Sequence, residues 1–454
     1  PAERRRVSRL WNKAVEAMSH TQLRDLQLSR LRAQVAYNFA NSPFYRDKFA
    51  TAGMRPDDVT SFADFARLPL MTKAELRTAQ AESLERFGNP YALLACAPPE
   101  KIVRINATSG TTGVPTLYTL TAKDVATVNE MHARKYWRAG IRPGNVLLQA
   151  LSLSMFTGGL PLSQGIQHMG ACVVPVGVEG GIQRVLDFIN LSRPQALIAT
   201  PSFGQYLIEE CPKISGREAA DLGLAWFFCA GEPGGSDPAI RAALANGFDA
   251  RVFDHTGGGH AFHGISCEAD DEPLAMHMTS EDHCLLEIVD PVTREPLTVN
   301  DGAVGEMLWT FLDWEGGPLM RFATGDVARV WLSPCSCGMP GLRFQIIGRA
   351  DDMLIVRGVN VYPAAVNAVI ARFMPRVTGH FRIVLPKPGP LVEGDLVIRI
   401  EHGKGLTENE VAALEVDLRR SFRSEARINP AFRWEPPFSL PRVAMKAHLL
   451  EIAS

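Results

Sequence analysis

The 454-residue chain is long enough for more than one domain and a large core, and 46% hydrophobic with 21% charged residues is an ordinary globular composition. Its 47 basic and 49 acidic residues leave a formal net charge of -2, so no basic footprint points to nucleic acid or an anionic membrane surface, and small molecules are the expected partners. With no apolar run of membrane-spanning length and no signal-like segment after Arg4-Arg5-Arg6, the chain is expected to be cytoplasmic.

In chain order, residues 1 to 90 mix helical patterns with turn signals. Leu23, Leu26, Leu28, Leu31 and Val35 recur at helix spacing until Pro43-Phe44-Tyr45-Arg46 breaks the run. Ile102, Val103 and Ile105 then read as a strand, and Leu117-Tyr118-Thr119-Leu120 as a second. Between them, the ten positions from Ala107 to Thr116 hold two glycines and five hydroxyl residues. Gly110 and Gly113 allow positive φ and close backbone approach, so several N–H groups can converge on one anion while the hydroxyls of Ser109, Thr111 and Thr112 add donors. On the residues alone, a solvated hairpin turn and a polyphosphate cradle stand about equal. A Walker A loop is excluded, because Pro115-Thr116 stands where its Gly-Lys-Ser/Thr ending belongs, and any cation must come from elsewhere.

From about 125 to 230, amphipathic helical patterns alternate with β-rich runs such as Ala171-Cys172-Val173-Val174-Pro175-Val176 and Ala196-Leu197-Ile198-Ala199-Thr200. That alternation predicts an α/β sheet with substantial parallel pairing and pockets at strand ends. Phe156-Thr157-Gly158-Gly159 sets a Phe beside two glycines, which is either a packed turn or the wall of an aromatic slot. Phe227-Phe228-Cys229-Ala230-Gly231-Glu232-Pro233-Gly234-Gly235 reads as a strand entering a glycine-rich turn. Around Gly257-Gly258-Gly259 gather His255, His260 and His263, either structural or able to orient a polar substituent of a substrate. Eight cysteines are too sparse for a disulfide framework; Cys267, His277, Cys335 and Cys337 would make a tetrahedral zinc set, although the spacing alone is not a zinc-finger pattern.

Ser109-Gly110-Thr111-Thr112-Gly113-Val114-Pro115-Thr116 resembles the phosphate loop of adenylate-forming enzymes, the superfamily of acyl-CoA synthetases, luciferases and adenylation domains. Thr116, the segment from Ser42 to Tyr45 with the run from Phe62 to Lys73, and Phe156-Thr157-Gly158-Gly159 resemble its phenylacetate-CoA ligase branch. Met320-Arg321-Phe322-Ala323-Thr324-Gly325-Asp326 resembles the Arg-Tyr-x-Thr-Gly-Asp motif. Gly348-Arg349-Ala350-Asp351-Asp352-Met353 and Arg357-Gly358-Val359-Asn360-Val361-Tyr362-Pro363 resemble the interdomain hinge, and Leu440-Pro441-Arg442-Val443-Ala444-Met445-Lys446-Ala447 the surroundings of the catalytic lysine.

The resemblance implies a large amino-terminal domain of mixed β-sheets flanked by helices, residues 1–350, and a small mobile α+β carboxy-terminal lid, residues 351–454. It implies an ATP-dependent aryl or arylacetic acid–CoA ligase that makes acyl-AMP and pyrophosphate, then acyl-CoA and AMP. The alternatives are an adenylating enzyme with an amine, carrier protein or deazaflavin as acceptor, and a non-catalytic nucleotide binder. Lys446 and Arg349 are the implied catalytic residues, with Arg442 as a weaker helper. The nucleotide falls to Ser109, Gly110, Thr111, Thr112, Gly113, Thr116, Gly231, Glu232, Pro233, Asp254, His255, Thr256, Asp326 and Arg349. Phe156, Thr157, Gly158, Gly159 and His260 fall to the acyl pocket, and Asp351 is the pivot. Gly257 stands where the superfamily carries a magnesium-holding Glu, with Asp254 or Glu268 as substitutes for a Mg²⁺ ligand. Some relatives resemble the Cys…His…Cys-x-Cys set, which implies a structural Zn²⁺, and the family often forms homodimers.

Overall fold

Short apolar runs bounded by turn residues build the sheet that positions the site. The computed structural model describes residues 9–107, 115–153, 158–269, 274–392, 394–441 and 449–453. Strands β1 (Ile102–Ala107) and β2 (Leu117–Thr121) form an antiparallel hairpin. Strands β3 (Val146–Gln149), β4 (Cys172–Pro175), β5 (Ala196–Ala199), β6 (Trp226–Cys229) and β7 (Arg251–Thr256) pair in parallel. Their side chains alternate between two cores. Leu148, Leu197, Phe227 and Val252 pack toward helices Gly181–Ser192, Pro201–Ser215 and Pro238–Phe248. Leu147, Ile198, Phe228 and Phe253 pack toward a central helix, Ala122–Arg138, and its neighbour Leu160–His168. The spatial order 4-3-5-6-7 reverses between β3 and β5, so the loops leaving those strands part and open a crevice at their carboxyl ends.

Beyond β7 the sheet continues antiparallel through β8 (Gly264–Ser266), β9 (Met276–Met278), β10 (Cys284–Val289), β11 (Ala303–Phe311), β12 (Phe322–Trp331) and β13 (Arg343–Arg349), eleven strands in all. Helices His20–Asn41, Pro43–Thr51 and Lys73–Phe87 lie on this half, burying Leu31, Val35, Tyr45, Phe49 and Leu76 with Met276, Phe311, Phe322 and Phe344. Extended Ser42 ends the first of these helices, because Pro43 disfavours helical geometry before it and opens the next helix at its first position.

The remaining strands are β14 (Leu354–Val356), β15 (Val359–Val361), β16 (Val377–Leu385), β17 (Leu391–Val392), β18 (Val397–His402), β19 (Ala431–Glu435) and β20 (Leu450–Ile452). β14, β15 and β17 make one small sheet; β19, β18, β16 and β20 make another, in that order. Helices Pro363–Ala371 and Glu408–Ser421 cover them, around a separate core that includes Leu354, Val366, Phe381, Ile398 and Leu414. The architecture is a large mixed α/β body with a smaller α+β one. Among the described residues, no helix is long and apolar enough to cross a membrane.

Candidate active site

The loops leaving β3, β5 and β6 are tied to one another. Gln149, at the end of β3, donates from Nε2 to the carbonyls of Gly158 and Gly159, both at 3.1 Å, and accepts from Ser163 Oγ at 2.6 Å. Thr200, after β5, accepts from the Phe203 N–H at 3.1 Å and caps the next helix. Glu232, after β6, accepts from the Ser202 N–H at 2.7 Å, which pins the Gly231-Glu232-Pro233 turn across the crevice mouth. Gly231 sits at φ +86, a conformation that costs other residues strain.

At the end of β7 the candidate residues separate. Asp254 turns back from the crevice: it is 8% exposed, and its Oδ2 accepts from Ser236 Oγ at 2.6 Å. Burial raises its pKa to about 6 despite that hydrogen bond. His255 is buried, its Nε2 lying 3.3 Å from the Tyr136 hydroxyl, and His263 is buried with Nε2 2.8 Å from the His260 carbonyl. Of these three histidines only His260 is partly exposed, with its ring centroid 4.8 Å from that of Trp309. Thr256 and Gly257 are also partly exposed. Gly257 sits at φ +104, and a Cβ there would lie 2.5 Å from His263 Cγ, so a Glu side chain has no room at this position. Glu268 pairs on the surface with Arg251. Neither Asp254 nor Glu268 therefore fits the role of an open carboxylate for Mg²⁺.

Three residues outside the sequence-level candidates reach this loop, one of them His132, whose Nε2 lies 3.2 Å from the Gly258 carbonyl. Lys135, on the central helix and fully buried, donates to the carbonyls of Thr256 at 3.0 Å and Gly257 at 3.2 Å. Asn106, at the end of β1, donates to the Gly259 carbonyl at 3.1 Å.

The register of β12 and β13 sets Asp326 opposite Arg349. Arg349 Nη1 donates to Asp326 Oδ1 at 2.9 Å and Nη2 to Asp351 Oδ2 at 2.6 Å. Burial opposes the charge on Arg349, but the bond to Asp351 and the neighbouring carboxylates outweigh it and raise its pKa. Burial likewise opposes ionisation of Asp351, and Arg349 overcomes it to hold that carboxyl below the ordinary range. Gly325 permits this approach, since a Cβ there would lie 2.8 Å from Arg349 Nη2. Arg321 is 4% exposed and binds Glu287 from Nε at 3.1 Å, with further bonds to the carbonyls of Ala66 and Leu68, so its place is structural.

Cys267 follows β8, His277 lies in β9, and Cys335 and Cys337 lie between β12 and β13; their ligand atoms all fall within 4.8 Å of one another. Cys267 Sγ is 3.7 Å from Cys335 Sγ, and Cys337 Sγ is 3.4 Å from His277 Nε2. Tetrahedral bonds of ordinary zinc length would place two sulfurs about 3.8 Å apart and a sulfur and a nitrogen about 3.5 Å apart, so the donor set fits zinc. Thr116 is buried, with Oγ1 3.4 Å from the Tyr118 hydroxyl. Ser109, Gly110, Thr111, Thr112, Gly113, Phe156, Thr157, Arg442 and Lys446 lie outside the described residues.

The strand-order switch point, the glycine-rich turn after β6 and the Asp326–Arg349 pair on adjacent strands agree with the adenylate-forming class that the motifs resemble. The AMP-binding enzyme family matches residues 48–310, and the AMP-binding enzyme C-terminal domain matches residues 358–450. Phenylacetate-coenzyme A ligase of Thermus thermophilus is 35% identical over 449 residues, covering 95% of this chain and 97% of that protein. The Escherichia coli enzyme of the same name is 31% identical, covering 95% of each. The chain belongs to the phenylacetate-CoA ligase family of AMP-binding enzymes. Among solved structures, a 2-hydroxyisobutyryl-CoA ligase in the postadenylation state with R3-HIB-AMP superposes with a TM-score of 0.88 at 25% identity, covering 99% of this chain and 93% of that one. The same ligase in the thioesterification state, with 2-HIB-AMP and CoA, gives 0.69 at 26% identity, covering 98% and 92%.

Proposed function

We propose that this chain is an ATP-dependent acid–CoA ligase acting on an aryl or arylacetic acid. The acid's carboxylate attacks the ATP α-phosphate to give acyl-AMP and pyrophosphate; the CoA thiol then displaces AMP. The observation that carries this reading is the pairing of Asp326 with Arg349 on adjacent strands, beside Asp351. Asp326 offers a carboxylate for the ribose hydroxyls, and Arg349 a cation near the nucleotide. Residues 109–113 with Thr116 hold the phosphates, Gly231, Glu232 and Pro233 border the adenine, and Gly158, Gly159 and His260 border the acyl group, with Phe156 and Thr157. Lys446 serves the first step by bridging the attacking carboxylate and the α-phosphate.

The boundary is placed at 350/351, so that residues 351–454 turn about Asp351 between the two steps. Magnesium arrives on the nucleotide phosphates, where much of its shell is phosphate and water. Zinc is held by Cys267, His277, Cys335 and Cys337 and ties the loops after β8 and β12; with four protein ligands it is structural. The active form is a homodimer in the cytoplasm.

Pyrophosphate release across aryl, arylacetic and hydroxyaryl acids, with ATP, magnesium and CoA present or absent, tests this reading. A CoA-stimulated signal with thioester product is the expected result. Acid-dependent pyrophosphate without thioester would mean another acceptor, and no signal despite ATP binding would sink the ligase assignment.

A further inference from the structure

Helix Pro201–Ser215 carries two stripes. Phe203, Leu207 and Cys211 face the core beside the parallel strands and are 0% exposed. Two residues further on at each step, and so on the opposite side of the helix, stand Gln205, Glu209 and Lys213. Each of these three meets the smaller body. Gln205 Nε2 lies 3.8 Å from Met374 Sδ, Glu209 Oε1 lies 3.8 Å from His380 Nε2, and Lys213 Nζ lies 4.8 Å from the Phe438 ring centroid while also pairing with Glu210. Ala371, at the end of helix Pro363–Ala371, adds an apolar contact: it is 2% exposed and packs into the core of the parallel half.

The same helix is tied to the crevice at its other end. Thr200 caps it, and the Ser202 N–H donates to Glu232 Oε1 at 2.7 Å, which fixes its first turn to the Gly231-Glu232-Pro233 turn. A body seated on the outer stripe is therefore placed relative to that turn by one rigid element. An independent feature lies at the far end of the stripe. Phe438 sits at φ +67, a left-handed conformation that a bulky residue avoids, and Lys404 Nζ of its own body is 4.7 Å from its ring, so a lysine from each body meets one aromatic side chain. Phe438 belongs to the segment that leads to Lys446.

We propose that Gln205, Glu209 and Lys213 are positioning residues for the first half-reaction: through Met374, His380 and Phe438 they seat the smaller body in the arrangement that brings the Lys446 segment to the nucleotide. The proposal rests on the reading of Lys446 as the lysine of acyl-AMP formation. A sulfur contact, an ion pair at 3.8 Å and a cation–π contact at the surface are each weak. Together they hold the body for one step and release it for the next.

The test separates the two half-reactions. Glu209→Arg sets a guanidinium against His380 and close to Lys213, and is expected to unseat the smaller body. With phenylacetate, ATP and magnesium, pyrophosphate release is expected to fall about tenfold or more, while conversion of supplied phenylacetyl-AMP and CoA to the thioester stays within about threefold of wild type. Glu209→Arg combined with His380→Glu exchanges the charges and is expected to recover most of the loss. Phe438→Ala, from the other side of the contact, is expected to give the same split and serves if Glu209→Arg does not fold. Equal loss in both half-reactions, no loss in the first, or no recovery in the exchanged pair overturns the seat. Small-angle X-ray scattering of the same proteins with AMP judges the seat without turnover: Glu209→Arg is expected to show a larger radius of gyration than wild type, and the exchanged pair to return toward it. A wild type that releases no pyrophosphate with any acid, but whose variants shift in this way, refutes the ligase reading alone. An active ligase whose variants show neither the split nor the shift refutes the seat alone.

Discussion

Asp254 shows how far a residue's chemistry depends on what surrounds it. As a carboxylate at the end of β7 it has the composition of a metal ligand, but its oxygen is spent on Ser236 and burial favours its neutral form. Because its folded pKa is raised to about 6, above the unfolded value, the folded state binds the extra proton between roughly pH 4 and pH 6. Stability therefore falls as pH rises through that window and stays reduced above it. Asp254→Asn keeps an acceptor for Ser236 and carries no charge. The variant is expected to gain on the wild type progressively from pH 4 to pH 6, by up to about 3 kcal/mol at pH 7, read from urea unfolding at each pH. A difference that does not change with pH would mean that Asp254 titrates as an exposed carboxylate. The same dependence on surroundings explains what the sequence left unread. Asp326 and Arg349 carry motif neighbours and were legible; Lys135 was not, because a lysine on an amphipathic helix ordinarily faces solvent. Its partners are backbone carbonyls, which have no residue signature.

At the scale of elements, the central helix Ala122–Arg138 is fixed to the antiparallel half of the sheet by an ion pair as well as by packing. Arg134 donates to both oxygens of Asp282, at 2.7 and 3.3 Å, and to the Thr279 carbonyl at 3.2 Å; both side chains are 2% exposed. Removing Arg134 takes from the buried Asp282 carboxylate its two-pronged partner and leaves it Arg30 at 3.6 Å and His283 at 3.3 Å. Arg134→Met is expected to lower stability by about 3–5 kcal/mol, and Arg134→Met with Asp282→Leu to recover much of that loss, both read from urea unfolding. An Arg134→Met loss below about 1 kcal/mol would show that water reaches the pair. The Cys267, His277, Cys335 and Cys337 set, the proposed zinc site, draws together the loops after β8 and β12. Cys337→Ser is expected to drop bound zinc from about one per chain toward none, measured by elemental analysis, and to lower the melting temperature of these loops' surroundings. Wild-type chain purified with no zinc and unaffected by chelator would dismiss the metal. The alternating runs of the parallel half were legible from residues alone. Its fusion with the antiparallel strands into one eleven-stranded sheet was not, because the joining strands β8 and β9 have three residues each and too little pattern to read.

At the scale of the whole molecule, the two bodies have separate cores, joined by the residues between β13 and β14. One relative in two states gives TM-scores of 0.88 and 0.69 against this chain, so the arrangement here is the one that relative adopts after adenylation and not during thioesterification. The Arg349–Asp351 pair lies at the junction, between the end of β13 and the start of β14. If the smaller body must swing for CoA to reach the acyl group, then restricting the backbone at the junction should separate the two half-reactions. Asp351→Pro fixes φ at the proposed pivot and removes one of the partners of Arg349, leaving Asp326. Pyrophosphate release in the absence of CoA is expected to stay within about threefold of wild type, because that step uses the arrangement already present, while conversion of supplied acyl-AMP to acyl-CoA falls by about tenfold or more. Parallel loss of both half-reactions would place Asp351 in the chemistry and not in the motion. Unchanged thioester formation would mean that the bodies turn about another residue, or that CoA reaches the acyl group without any turn.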